Sequence, residues 1–138
     1  MKNNIPLACS SASQVVPGCG NVLEIAVAGR HVPGAAREIE NYISNAIAAH
    51  KPALLVIDFN RFVYEFGDDI GGALVSSLCR MQALGGPRAC RIVATGATAA
   101  SLEALLRFGK ILPLFGGGLF IDFDSALSDA KSSSRPAG

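Results

Sequence analysis

Residues 53–78 read ALLVIDFNRFVYEFGDDIGGALVSSL. The opening stretch, Ala53–Phe59, is an apolar run with β-branched members, interrupted only by Asp58. A short run that is apolar at odd and even positions alike predicts a central strand covered on both faces. Further on the period changes. Ile70, Leu74, Leu78 and Met81 recur at spacings of four, four and three, the stripe of an amphipathic helix. Between strand and helix stand Glu65, Asp68 and Asp69, and Gly71-Gly72 lies inside the first helical turns. Each glycine there costs on the order of 1 kcal/mol relative to Ala. Close approach of another chain or of a packed neighbour would explain keeping them.

The same alternation continues outward. Val22–Ala28 reads as a strand stopping at Gly29. Ala35, Ile39, Tyr42, Ile43, Ala46 and Ile47 make the apolar face of a helix that Lys51-Pro52 ends. Leu84–Pro87 stops the helix that carries Ile70. Ala89–Gly96 is a buried strand, followed by a helix with Leu102, Leu105 and Leu106 inward. Ile111–Gly118 is a turn, Leu119–Phe123 a short strand, and Asp124–Ala130 a last helix capped by Asp124 or Ser125. Ser13–Val16 reads as a short edge strand. The expected fold class is α/β, a single domain with a mainly parallel central sheet of four to five strands and about four helices. Residues 1–20 form an N-terminal segment holding the edge strand, 21–130 the domain, and 131–138 a flexible tail.

Composition narrows the function. The 138 residues allow one sizeable core, with 50% apolar and 17% charged residues. Net charge is +1, Trp is absent and no basic run occurs, so a nucleic-acid or membrane partner has no electrostatic support. Cys9, Cys19, Cys79 and Cys90 form no CxxC pair, and there are only two histidines, which argues against zinc. Cys79 and Cys90 are expected to be small buried hydrophobes. Leu7-Ala8-Cys9 faintly suggests a lipoprotein cleavage site, but the apolar run from Ile5 to Cys9 is too short for a signal core. A cytoplasmic protein with reduced thiols is the expectation.

Enzymatic signatures are missing from the sequence. It contains no GxxxxGK[ST], no GxGxxG in the first strand–helix turn, and no GxSxG. Gly116-Gly117-Gly118 precedes a strand rather than a helix and reads as a flexible turn. His31 and His50 flank the first helix with no obvious triad partner in sequence. Glu65, Asp68 and Asp69 have the chemistry of Mg²⁺ ligands, but a receiver-type site would need a second acidic strand end and a lysine after IVATG. The plainer reading is that Asp68 or Asp69 caps the helix and suits its dipole. No cofactor is expected.

The segments VLEIAVAGRHVPGAAREIENYI, ALLVIDFNRF, EFGDDIGGAL, ALGGPRACRIVATGATAASLEALLRFGKI and LFIDFDSAL, from about Val22 to Ala130, follow the order of a STAS domain. The chain thus resembles the bacterial anti-sigma factor antagonists. The family's DSsGlg motif is degenerate here. With Gly72-Ala73-Leu74 matched to its GaL, Gly67-Asp68 falls on its Asp-Ser. Asp68 then occupies the phosphoacceptor-equivalent position, with Asp69 the alternative because the preceding loop holds one extra residue. The resemblance implies a non-enzymatic module in signal transduction and transcription regulation that binds a protein partner, an anti-sigma factor or kinase-like domain. It implies a docking site at Asp58, Phe66, Gly67, Asp68, Asp69, Ile70, Gly71 and Gly72, without the usual serine switch. The alternatives are a small α/β enzyme or metal-dependent domain using Glu65, Asp68 and Asp69, and a homo-oligomeric structural module.

Overall fold

Leu54, Leu55, Val56, Ile57 and Phe59 are each 2% exposed or less, because both faces of their strand are covered. The computed structural model describes residues 7–64, 69–85 and 89–134. Four strands, β1 (Ala8–Val16), β2 (Gly20–Arg30), β3 (Leu54–Val63) and β4 (Ala89–Val93), form one sheet in that order. β1 and β2 make an antiparallel hairpin, while β2, β3 and β4 run parallel. The parallel pairs need crossovers, which α1 (Ala35–His50) and α2 (Asp69–Ala83) supply. α3 (Gly96–Phe108), a 3-10 turn at Leu112–Phe115 and α4 (Phe123–Ser134) complete the described chain. This is the expected single α/β domain, with a mixed sheet of four strands.

The helices divide unequally over the sheet. Ile39 and Ile43 of α1, Ile70, Leu74 and Met81 of α2, and Leu102 and Leu106 of α3 join one core cluster with Leu23, Ile25, Leu55, Ile57 and Ile92. α4 covers part of the other face, setting Ala126 and Ala130 against Val22, Leu54, Val56 and Val93. Burying each Val, Leu, Ile or Met side chain among these contributes about 1.5–3 kcal/mol. α1 ends where Lys51 turns left-handed (φ 47°) and its N–H donates to the Ile47 carbonyl at 2.8 Å. No helix among the described residues is long and apolar enough to cross a membrane.

Several elements differ from expectation. The short edge strand at Ser13–Val16 is the end of a nine-residue strand, whose ACSSAS portion carries too few apolar residues to alternate visibly. The strand expected at Leu119–Phe123 contracts to a bridge, Val93 with Phe120, in which Phe120 N donates to Ile92 O at 3.0 Å. α4 begins at Phe123, and its cap is Asp122 rather than Asp124 or Ser125: Asp122 Oδ1 accepts from Ser125 N at 2.8 Å. That bond holds the Asp122 carboxyl below its ordinary pKa. Lys131–Ser134, expected in the tail, continue the helix. Cys79 is exposed rather than buried, because it lies one position past Leu78 and so beyond the apolar stripe. Cys90 is fully buried, and desolvation pushes its thiol up to about 12.

A charged clasp joins the C-terminal elements to the sheet edge. Arg91 of β4 is 6% exposed. Its Nε donates to Asp129 Oδ2 of α4 at 2.8 Å, and a terminal nitrogen donates to Cys90 O at 3.0 Å. Gly116 lets this happen. It has φ 95°, and a Cβ there would sit 2.7 Å from Arg91 Nε and 2.9 Å from Asp129 Oδ2. Gly116→Ala should therefore lose the left-handed turn or the ion pair, at a cost of about 2 kcal/mol or more. Urea unfolding checks this; a midpoint unchanged from the parent would contradict the clasp.

Candidate functional site

β3 carries one residue too many. Its pairing with β2 passes from Ala26–Asp58 to Ala28–Arg61, so one residue of β2, Val27, opposes two of β3, Phe59 and Asn60. This is a β-bulge, and Asp58 closes it by accepting Asn60 N–H on Oδ1 at 2.8 Å. The extra residue reverses which side chains face the helices. Ile57 and Phe59 point into the main core before the bulge, and Phe62 and Tyr64 after it. Asn60 fastens the bulge to its neighbours. Its Nδ2 donates to Ile121 O at 3.2 Å, and Thr95 Oγ1 donates to its Oδ1 at 3.0 Å. Thr98, in the first turn of α3, donates to Phe62 O at 2.7 Å.

Phe62 and Tyr64 form the floor for His31. This residue follows directly on β2, and its N–H donates to Val63 O at 2.9 Å. Its ring meets Tyr64 edge-on at 5.2 Å and Phe62 at 6.3 Å. Its Nε2 donates to Asp69 Oδ1 at 2.8 Å. The His31 side chain is 16% exposed and that of Asp69 49%. Asp69 opens α2, where a carboxylate suits the positive end of the helix dipole. The pair thus ties the start of α2 to the exit of β2. Beside it lies an open cleft of about 530 Å³ lined by Gly34, Ala36, Arg37, Glu40, Asn41 and Asp69.

α2 divides into a buried stripe and a thin solvent strip. Ile70, expected in the docking site, is 0% exposed and belongs to the core. Gly71 is half-buried; a Cβ there would meet Leu105 Cδ2 at 3.4 Å, ordinary contact with α3. Gly72 is exposed, with no described residue within 4 Å of a notional Cβ. Asp69, Gly72, Val75 and Cys79 line the exposed strip. Of the neighbouring serines, Ser76 donates to Glu40 Oε2 of α1 at 3.1 Å, and buried Ser77 donates to Ala73 O at 2.9 Å. Glu65, Phe66, Gly67 and Asp68 lie outside the described residues.

Asp58 does not join Asp69 around one cleft. It lines a separate hollow of about 580 Å³ with Ala8, Ser10, Ala26, Ala28, Asn60 and Arg61. Glu24 occupies the same sheet face, and its pKa is raised first by burial, then by the charges of Asp58 and Asp124. Among the described residues no three His, Cys, Asp or Glu side chains are grouped to hold a metal ion. His31 is the site residue that the sequence hid. Only the adjacency of the β2 and β3 exits in a parallel sheet, 38 residues from Asp69, brings it into place.

No family model and no curated protein sequence matches the chain. Solved structures do resemble it. An anti-sigma factor antagonist from Mycobacterium paratuberculosis superposes with a TM-score of 0.67 at 19% identity, over 90% of this chain and 95% of that one. The anti-sigma factor antagonist SpoIIAA, in its unphosphorylated form, superposes with a TM-score of 0.63 at 15% identity, over 89% of this chain and 97% of that one. The chain therefore has the STAS-like fold of these antagonists, as its sequence resemblance implied.

The Glu24 arrangement sets a pH dependence. A carboxyl whose folded pKa is raised binds its proton more readily in the folded state. Its contribution to stability therefore falls as pH rises through the weakly acidic range, from the ordinary glutamate value to the raised one. Glu24→Gln removes the charge facing Asp58 and Asp124. It should raise Tm at pH 7 by roughly 1–3 °C and close on the parent as the pH drops to 4. Scanning calorimetry at both pH values checks this; a variant less stable at pH 7 would contradict the repulsion.

Proposed function

We propose that the chain is a non-enzymatic regulatory module that docks a protein partner, an anti-sigma factor or kinase-like domain, through the start of α2. The observation that carries this reading is Gly72. It stands exposed near the start of a helix, where glycine lowers stability, and no neighbour among the described residues requires it. A bare backbone on a solvent face suits the close approach of another chain. Asp69 stands one turn before it, oriented by His31, and Val75 one turn after, with 38% of its surface exposed. The fold shared with anti-sigma factor antagonists supports the class of partner. Phe66, Gly67 and Asp68 complete the proposed surface, with Asp68 at the phosphoacceptor-equivalent position; Asp58 lines a separate hollow and acts on this end only by holding the bulge.

In this reading the serine switch is absent. A carboxylate at position 68 offers no hydroxyl, and it carries less charge than a phosphate. Ser77 is buried and Ser76 is engaged with α1, so neither replaces it readily. Incubation with a cognate kinase domain and ATP should leave the intact mass unchanged, whereas gain of one phosphate would refute the lost switch.

Binding to the candidate anti-sigma factor from the same genome, measured by calorimetry, tests the surface. Asp69→Lys should weaken the complex at least tenfold. Gly72→Ala should stabilise the free chain by about 0.5–1 kcal/mol and still weaken the complex. If both variants bind as tightly as the parent, α2 is not the docking element.

A further inference from the structure

The two edges of the sheet are treated differently. An open edge offers unpaired N–H and C=O groups to other chains, and proteins blunt it with short strands, charges, prolines, bulges or covering segments. β4 is five residues long, holds the clasped Arg91, and is bridged by Phe120. Among the described residues β1 has none of these protections. Its nine residues, ACSSASQVV, contain no charge and no proline. It pairs with β2 without a register shift, from Ala8–Ala28 to Val16–Gly20. Among the described residues no strand pairs with its outer edge. Val15, on this strand, is 81% exposed.

We propose that this edge pairs with β1 of a second copy of the chain, antiparallel about a two-fold axis through Ala12, joining two four-stranded sheets into one. Full overlap of Ala8–Val16 with itself fixes the register. Ala12 opposes Ala12, Ser11 opposes Ser13, Ser10 opposes Gln14, and exposed Val15 gains Cys9 as its neighbour. Opposed residues then share parity, so the face bearing α1 on one copy continues into the same face on the other. Ser–Ser and aliphatic pairs are favourable across strands, and no like charges meet. The net charge of +1 adds little long-range repulsion between copies.

The size of the contact sets its strength. Nine residues in antiparallel pairing exchange roughly eight to ten backbone hydrogen bonds, close to the ~10 of an ordinary interface. The strip is about 30 Å long and 10 Å deep, near 300 Å² on each chain. That is well below the ~800 Å² per partner of a standard interface, so the dimer is weak and forms reversibly with concentration.

Sedimentation velocity from about 5 to 500 µM tests the pairing. The parent should pass from one chain towards two across this range. Ala12→Lys and Ala12→Glu each place like charges together on the dyad and should weaken association at least tenfold. An equimolar mixture of the two should associate again, because the charges are then opposite. Thermal melts confirm that both variants fold. A parent that stays monomeric at 500 µM overturns the proposal, as does an Ala12→Lys variant that associates like the parent, or a mixture that fails to recover.

Discussion

One extra residue in β3 organises the functional end of the molecule. Without the bulge at Asp58–Arg61, the strand's alternation would carry Phe62 and Tyr64 to the face away from α1 and α2. With it, both rings enter the main core and form the floor on which His31 rests. His31 in turn sets the first residue of α2 through Asp69. The bulge is held from three directions: by the Asp58 carboxylate, by Thr95 at the β4 exit, and by the Ile121 carbonyl before α4. The strand ends and the start of α2 are therefore one connected assembly of polar bonds laid over a dry core.

The main elements were legible in the sequence because they are repetitive. β3 announced itself by apolar density, and α1 and α2 by period, with their stripes at Ile39–Ile43–Ile47 and Ile70–Leu74–Leu78 buried as expected. What stayed hidden lacks period or depends on distance. β1 is small and polar, so its alternation carries no hydrophobic contrast. Leu119–Phe123 looks like a strand, but α4 claims Phe123 and leaves room for one bridge. At the site, Asp69 and the two glycines were visible as a local cluster, whereas His31 needed the parallel sheet to bring it within reach. Asp58 stood out as the one acid in an apolar strand; its bond to Asn60 shows that it shapes the backbone.

The two glycines of α2 illustrate how neighbouring residues of one type answer to different constraints. Gly71 has a packed neighbour inside the chain, Leu105 of α3, at ordinary contact distance from a notional Cβ. Gly72 has no described residue within 4 Å of a notional Cβ, so packing among the described residues offers no reason for it. Local rules of stability and fold agree along most of α2, and the position where they part lies one turn after Asp69, at the end of the molecule where His31, Asn60, Thr95 and Thr98 bond.

The β1–β2 hairpin also has a kinetic consequence. Its strands are joined through Pro17, Gly18 and Cys19, so its contacts are local, whereas β2–β3 and β3–β4 pairing must wait for α1 and α2 to bring distant segments together. Hairpins close within microseconds, while non-local parallel pairing is slow. The hairpin is thus expected to exist before the core does, with an uncharged edge on view and no helix yet packed above it. Crowding on that edge during refolding competes with the crossovers that complete the sheet, so the yield of native protein depends on how dilute the chains are while α1 finds its place.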